Sequence, residues 1–150
     1  MEVILEETRL AWLAGLIDGE GCLSVRHVIK QPHKAHRNSL ELRLEITSVS
    51  TKMIDTTCQI LAEMDISVYR DKPRFRPKST RPAIKIRIQQ KYHLHILLRA
   101  LLPYVVVKKP EAERCLQFLD LTCAKPNSHY RLQESDLSIV GKLKALKRIA

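Results

Sequence analysis

Residues 13–25, LAGLIDGEGCLSV, place two carboxylates, Asp18 and Glu20, among glycines at the end of an apolar repeat. Leu10, Leu13, Leu16 and Ile17 recur at helical spacing and predict a helix over 8–18. Thr8 is its expected N-cap, and Gly19 and Gly21 its terminators. Both acids then lie where the helix dipole is negative, so each opposes the dipole and the other carboxylate. A cation offsets that arrangement. Mg²⁺ suits it, because this ion prefers oxygen ligands and is commonly held by one or two carboxylates together with substrate phosphates.

The rest of the chain points to a phosphate-rich partner. Its formal net charge is +10, on 150 residues of which 28% are charged. Nine basic residues lie between Arg70 and Lys91, opposed within that segment only by Asp71. A solvated surface usually mixes the two signs, so a block of one sign suggests a polyanion. A structural zinc site is not expected. His33 and His36, and His93 and His95, are closely spaced, but Cys22, Cys58, Cys115 and Cys123 form no ligand-spaced pair. No apolar run approaches the roughly 20 residues that span a membrane, and the first residues lack a basic, signal-like region. The expectation is a soluble, intracellular protein with no membrane partner.

Beyond the first helix, residues 22–29 are rich in β-formers. The segment LELRLEIT (40–47) alternates strictly, as a half-buried antiparallel strand does. Residues 51–64 return to helical period. A second strand pair follows, over 67–75 and 83–89, with Ile84, Ile86 and Ile88 on one side. Helices are expected over 91–102 and 110–123, and a basic helix over 135–149. The order is α-ββ-α-ββ-α-α with a tail helix. It predicts an α+β domain, one four-stranded antiparallel sheet with helices packed on one face. Residues 1–125 form the main unit, and 126–150 a linker and C-terminal helix of the same domain. The open face, with few aromatic rings, suits duplex DNA better than base-stacked RNA.

Ala11, Gly15 and Gly19 stand four residues apart. They leave a nearly bare stripe along the first helix, which allows a second backbone to approach closely. Packing against the protein's own sheet would use the same stripe. The nonapeptide LAGLIDGEG (13–21) closely resembles the motif of the LAGLIDADG homing endonucleases, and the resemblance runs through the element order over about 5–122. It implies the αββαββα fold of that family, C-terminal helices added, and a motif helix that pairs with another across a two-fold axis. Only one copy of the motif is present, which implies a homodimer with Ala11, Trp12, Gly15, Leu16 and Gly19 at its interface. A strand of nine residues spans roughly 30 Å, or about nine base pairs. One chain therefore reads a half-site, and two read a pseudo-palindrome.

The resemblance also implies roles. Glu20 and the Gly19 carbonyl hold the catalytic metal, although Asp is usual at the position of Glu20. Asp18 has an end-of-helix structural role. Lys108, with Lys109 as the alternative, is the basic residue that polarises active-site water. Ser48 stands where relatives often carry Gln, and Lys52 is a further basic candidate. Mg²⁺ is the implied cofactor, with Mn²⁺ able to substitute and Ca²⁺ binding without supporting cleavage. Ser24, Arg26, Glu41, Arg43, Arg70, Lys72, Lys85 and Arg87 are expected at outward strand positions that read DNA. Lys30, Lys34, Arg37, Arg74, Arg76 and Lys78 are expected in loops or beside them, the loop lysines and arginines mainly on phosphates. The implied function is a site-specific endonuclease that makes a double-strand break and promotes intron mobility. An intron-RNA maturase and a non-cleaving DNA-binding regulator are the alternatives.

Overall fold

The computed structural model describes residues 2–29, 38–73 and 81–123, with side chains for 6–26, 40–73 and 81–123. Four helices and four strands follow one another as α1 (Glu2–Glu20), β1 (Gly21–Ile29), β2 (Asn38–Ser48), α2 (Thr51–Glu63), β3 (Tyr69–Arg70), β4 (Ile84–Ile88), α3 (Lys91–Leu101) and α4 (Lys109–Cys123). The strands form one antiparallel sheet in the order β1-β2-β4-β3. The expected architecture is therefore present. The tail helix expected over 135–149 lies outside the described residues.

Alternation in β2 and β4 builds one apolar face. Leu42, Leu44 and Ile46, with Ile84, Ile86 and Ile88, are buried beneath the helices. Against them lie Leu13 and Ile17 of α1, Ile54 and Leu61 of α2, and Leu94, Leu97, Leu98 and Leu101 of α3. Ser50 caps α2, its hydroxyl accepting the Met53 N–H at 3.3 Å. At the other end of α2, Asp65 takes a left-handed φ of 57°, a conformation that Asp tolerates in tight turns. No helix among the described residues is long and apolar enough to cross a membrane.

Three boundaries differ from those the sequence suggests. Helix α1 starts at Glu2, so Thr8 lies inside it rather than capping it. No proline or glycine interrupts the chain before Thr8, and nothing local ends the helix there. Gly19 is helical, and α1 passes into β1 at Gly21 without a loop. Strand β3 is two residues long, where 67–75 was expected; the Asp71 N–H still donates to the Lys85 carbonyl at 2.9 Å, and Pro73 has no N–H to continue the ladder.

Candidate active site and nucleic-acid interface

The α1–β1 junction sets the site. Gly21 has ordinary negative φ, so handedness does not require a glycine here; contact does. A Cβ at this position would lie 2.7 Å from the Ile17 carbonyl oxygen and 2.9 Å from the Ile17 Cα. The strand thus leaves the helix pressed against its last turn, and Glu20 is carried at the turning point. Its side chain is exposed and has no hydrogen-bond or ion-pair partner among the described residues.

Asp18 is differently engaged. Its carboxylate accepts the Val106 N–H at 2.8 Å and the Lys108 N–H at 3.0 Å. Its carbonyl accepts from Lys108 Nζ at 2.8 Å. Partial burial works to raise the Asp18 carboxyl. The amides of Lys108, Val106 and Val107, and the Lys108 charge, outweigh it and hold the group below its ordinary value. Asp18 therefore ties the segment before α4 to the end of α1 and fixes Lys108 beside Glu20's helix turn. The bonds favour the ionised form, so their stabilisation is complete above the unfolded value of about 3.9 and is lost as pH falls through the lower folded value. Asp18→Asn should cost about 1–2 kcal/mol at neutral pH. The gap from the parent, followed by urea denaturation, should narrow below about pH 4.

Ser48 ends β2 two residues beyond Ile46, and Ile46 pairs with Gly21, so Ser48 is at the sheet end occupied by the junction. Its hydroxyl accepts the Ser50 N–H at 3.0 Å. Lys52 is exposed on the first turn of α2, and Lys109 is the exposed first residue of α4. The fold thus gathers Gly19, Glu20, Lys108, Ser48 and Lys52 at one end. Among the described residues no three His, Cys, Asp or Glu side chains converge on a common point. One chain offers one free carboxylate with the carbonyls of a helix end, an incomplete set of hard oxygen donors that a second copy would double.

The bare stripe of α1 is not packed on the sheet. Ala11, Gly15 and Gly19 are exposed, and a Cβ built on Gly15 or Gly19 meets nothing within 4 Å. Trp12 beside them is 41% exposed. Leu16, expected at the same interface, instead belongs to the chain's own core: it falls on the turn's inner side with Leu13 and Ile17.

The open sheet face carries Ser24 and Arg26 of β1, Glu41, Arg43 and Glu45 of β2, and Lys85 and Arg87 of β4. These alternate with buried residues, as expected. Arg70 does not join them. It pairs with Ile86, whose side faces the core, and bonds Asp55 of α2 at 2.8 Å. Tyr69 takes the outward position, 55% exposed. A two-residue strand shows no period, so its sequence does not declare the face of Arg70. Lys72 is exposed beyond the strand end, while Lys30, Lys34, Arg37, Arg74, Arg76 and Lys78 lie outside the described residues. Nor is the described face uniformly positive. Arg43 pairs with Glu41 at 3.0 Å, Lys85 with Glu45 at 3.3 Å, and Arg87 with Asp71 at 3.0 Å.

No family model and no curated protein matches the sequence. Solved structures do. The homing endonuclease I-CvuI, in complex with the I-CreI target and Mg, is 21% identical at a TM-score of 0.69, over 94% of this chain and 83% of that one. I-SmaMI, a LAGLIDADG homing endonuclease bound to cleaved DNA, is 19% identical at 0.63, over 91% of this chain and 42% of that one. I-Vdi141I, an archaeal intron-encoded homing endonuclease complexed with DNA, is 17% identical at 0.58, over 93% of this chain and 99% of that one. The chain has the LAGLIDADG homing-endonuclease fold.

Proposed function

We propose that this chain is one half of a homodimeric, divalent-metal-dependent endonuclease that cuts duplex DNA at a long, pseudo-palindromic site, and that it serves intron mobility. The end of α1 carries the reading: an exposed small-residue stripe leads directly to a free carboxylate, Glu20. Helices that meet along Ala11, Gly15 and Gly19 bring two Glu20 side chains together at the two-fold axis. Coverage of the solved structures supports one chain as one half, since it matches 99% of I-Vdi141I but only 42% of I-SmaMI.

Glu20 and the Gly19 carbonyl would hold Mg²⁺. When bound, such ions supply an activated water and stabilise both the attacking and the leaving oxygen of a phosphodiester. Lys108, pinned through its own N–H and Nζ to Asp18, puts a positive charge at the end of α1 and would orient water or offset charge on a phosphate. Ser48 and Lys52 supply polar contacts at the same end of the sheet. The face with Ser24, Arg26, Arg43 and Arg87 lies against base edges in the major groove.

The test is selection of cleaved sites from a fully randomised duplex library with the full chain and Mg²⁺. A long site with two-fold symmetry is expected. Specific binding without cutting would mean a regulator, and no enrichment would turn attention to structured RNA.

A further inference from the structure

The ion pairs of the open face are at odds with a surface built only to attract phosphates. Glu41, Glu45 and Asp71 each occupy a cation that would otherwise be free for the polyanion. Near DNA these acids cost affinity through repulsion, so their presence calls for a use other than attraction.

Arg87 shows what that use is. It lies in a row that crosses all four strands, Cys22–Glu45–Arg87–Tyr69, all paired in register. Its Nη2 donates to Asp71 Oδ1 at 3.0 Å. Its Cζ lies 4.5 Å from the centroid of the Tyr69 ring. Asp71 is itself anchored, because its N–H donates to the carbonyl of Lys85 on the same strand as Arg87. The guanidinium is thus held on one edge by a carboxylate and on one face by a ring. Its side chain is only 22% exposed, and its Nε is buried without an acceptor. A lysine or arginine that only tracks a phosphate gains nothing from such restraint, whereas a planar fork aimed at two acceptors gains by losing less freedom on binding.

We propose that Arg87 is a base-reading residue, a fixed fork for the O6 and N7 acceptors of a guanine in the major groove, and that Asp71 and Tyr69 are its positioning residues. The proposal rests on the DNA reading above and adds the base and the means of orientation. Asp71 sets the rotation of the guanidinium about its long axis, and Tyr69 its plane. With Nε buried, Nη1 and the second Nη2 hydrogen are the donors left for the base. In a two-fold dimer, the contact recurs at two symmetry-related guanines.

Base preference at each position of the selected site separates this from a structural role. Binding of single-substitution duplexes is measured for the parent, Arg87→Lys, Arg87→Ala, Asp71→Asn and Tyr69→Leu, with thermal melts as a folding control. Arg87→Lys keeps the charge and loses the fork, so it should abolish discrimination at one guanine and its symmetry mate, about tenfold or more, and spare every other position. Asp71→Asn removes a negative charge from the face. It should tighten binding to random duplex and steepen the salt dependence, while it weakens preference at that same guanine. Tyr69→Leu should weaken the same preference without changing the salt dependence. Full function in Arg87→Lys, or a uniform loss at all positions in Arg87→Ala, would place Arg87 on a phosphate and overturn the proposal. An unchanged profile in Asp71→Asn and Tyr69→Leu would overturn their positioning role. A parent that enriches no duplex would instead defeat the DNA reading itself, a result distinct from either.

Discussion

Glu20→Gln is expected to abolish DNA cleavage, by at least about a thousandfold, while leaving binding of the selected duplex within about twofold. The substitution keeps the size of the side chain and removes the charge that a divalent ion needs. Metal ions contribute several kcal/mol to phosphodiester hydrolysis, and each 1.36 kcal/mol is a factor of ten in rate. The side chain is exposed, with no ion-pair partner among the described residues, so its charge supports no internal contact and the fold should be undisturbed. Binding is predicted to hold or to tighten slightly, because one negative charge near the phosphates is gone. Cleavage time courses with Mg²⁺ and gel-shift titrations with Ca²⁺ read the two effects separately. Cutting that survives in Glu20→Gln would mean that the metal is held elsewhere.

The second large effect concerns stability, and it sets three glycines of one short segment apart. Gly21→Ala drives a methyl to within 2.7 Å of a backbone oxygen that cannot swing away. A loss of about 3 kcal/mol, the upper range for overpacking, is expected in urea denaturation; that is a large part of the stability of a domain this size. Gly15→Ala and Gly19→Ala meet open space and lie in a helix, so each should stabilise the single chain by about 0.5–1 kcal/mol. The same methyl groups should weaken self-association, since they fill the stripe where two helices are proposed to meet. Sedimentation equilibrium follows that loss. A Gly21→Ala protein as stable as the parent would show that the junction can relax, and an intact dimer in Gly15→Ala and Gly19→Ala would place the interface elsewhere.

The sheet was legible because its signal is local. Each residue of LELRLEIT declares its face through its neighbours, and β2 runs from Asn38 to Ser48 with Leu42, Leu44 and Ile46 buried. The helical stripes of α2 and α3 are of the same kind. The site was legible through its motif, which set Glu20 at the helix end, but its support was not. Asp18 bonds residues 88 and 90 positions away, and no local pattern announces such a partner. The balance of charge on the face is not local either: Arg87 finds Asp71 across a strand pair and Lys85 finds Glu45 across another, pairings that exist only after folding. The strand that holds Arg70 is too short to show alternation, and the helix that holds Leu16 is apolar on more than one side.

The absence of a loop between α1 and β1 has a consequence for engineering. Glu20 and the first residue of β1 are consecutive, and Gly21 leaves no slack between them. Under the proposed function the junction is a ruler: the distance from the scissile bond to the nearest base read is built into covalent geometry. Substitutions along Ser24, Arg26, Arg43 or Arg87 can rewrite the sequence recognised, but the cut stays at a fixed offset from it. Lengthening the spacer between two half-sites should therefore be tolerated far less than changing their letters.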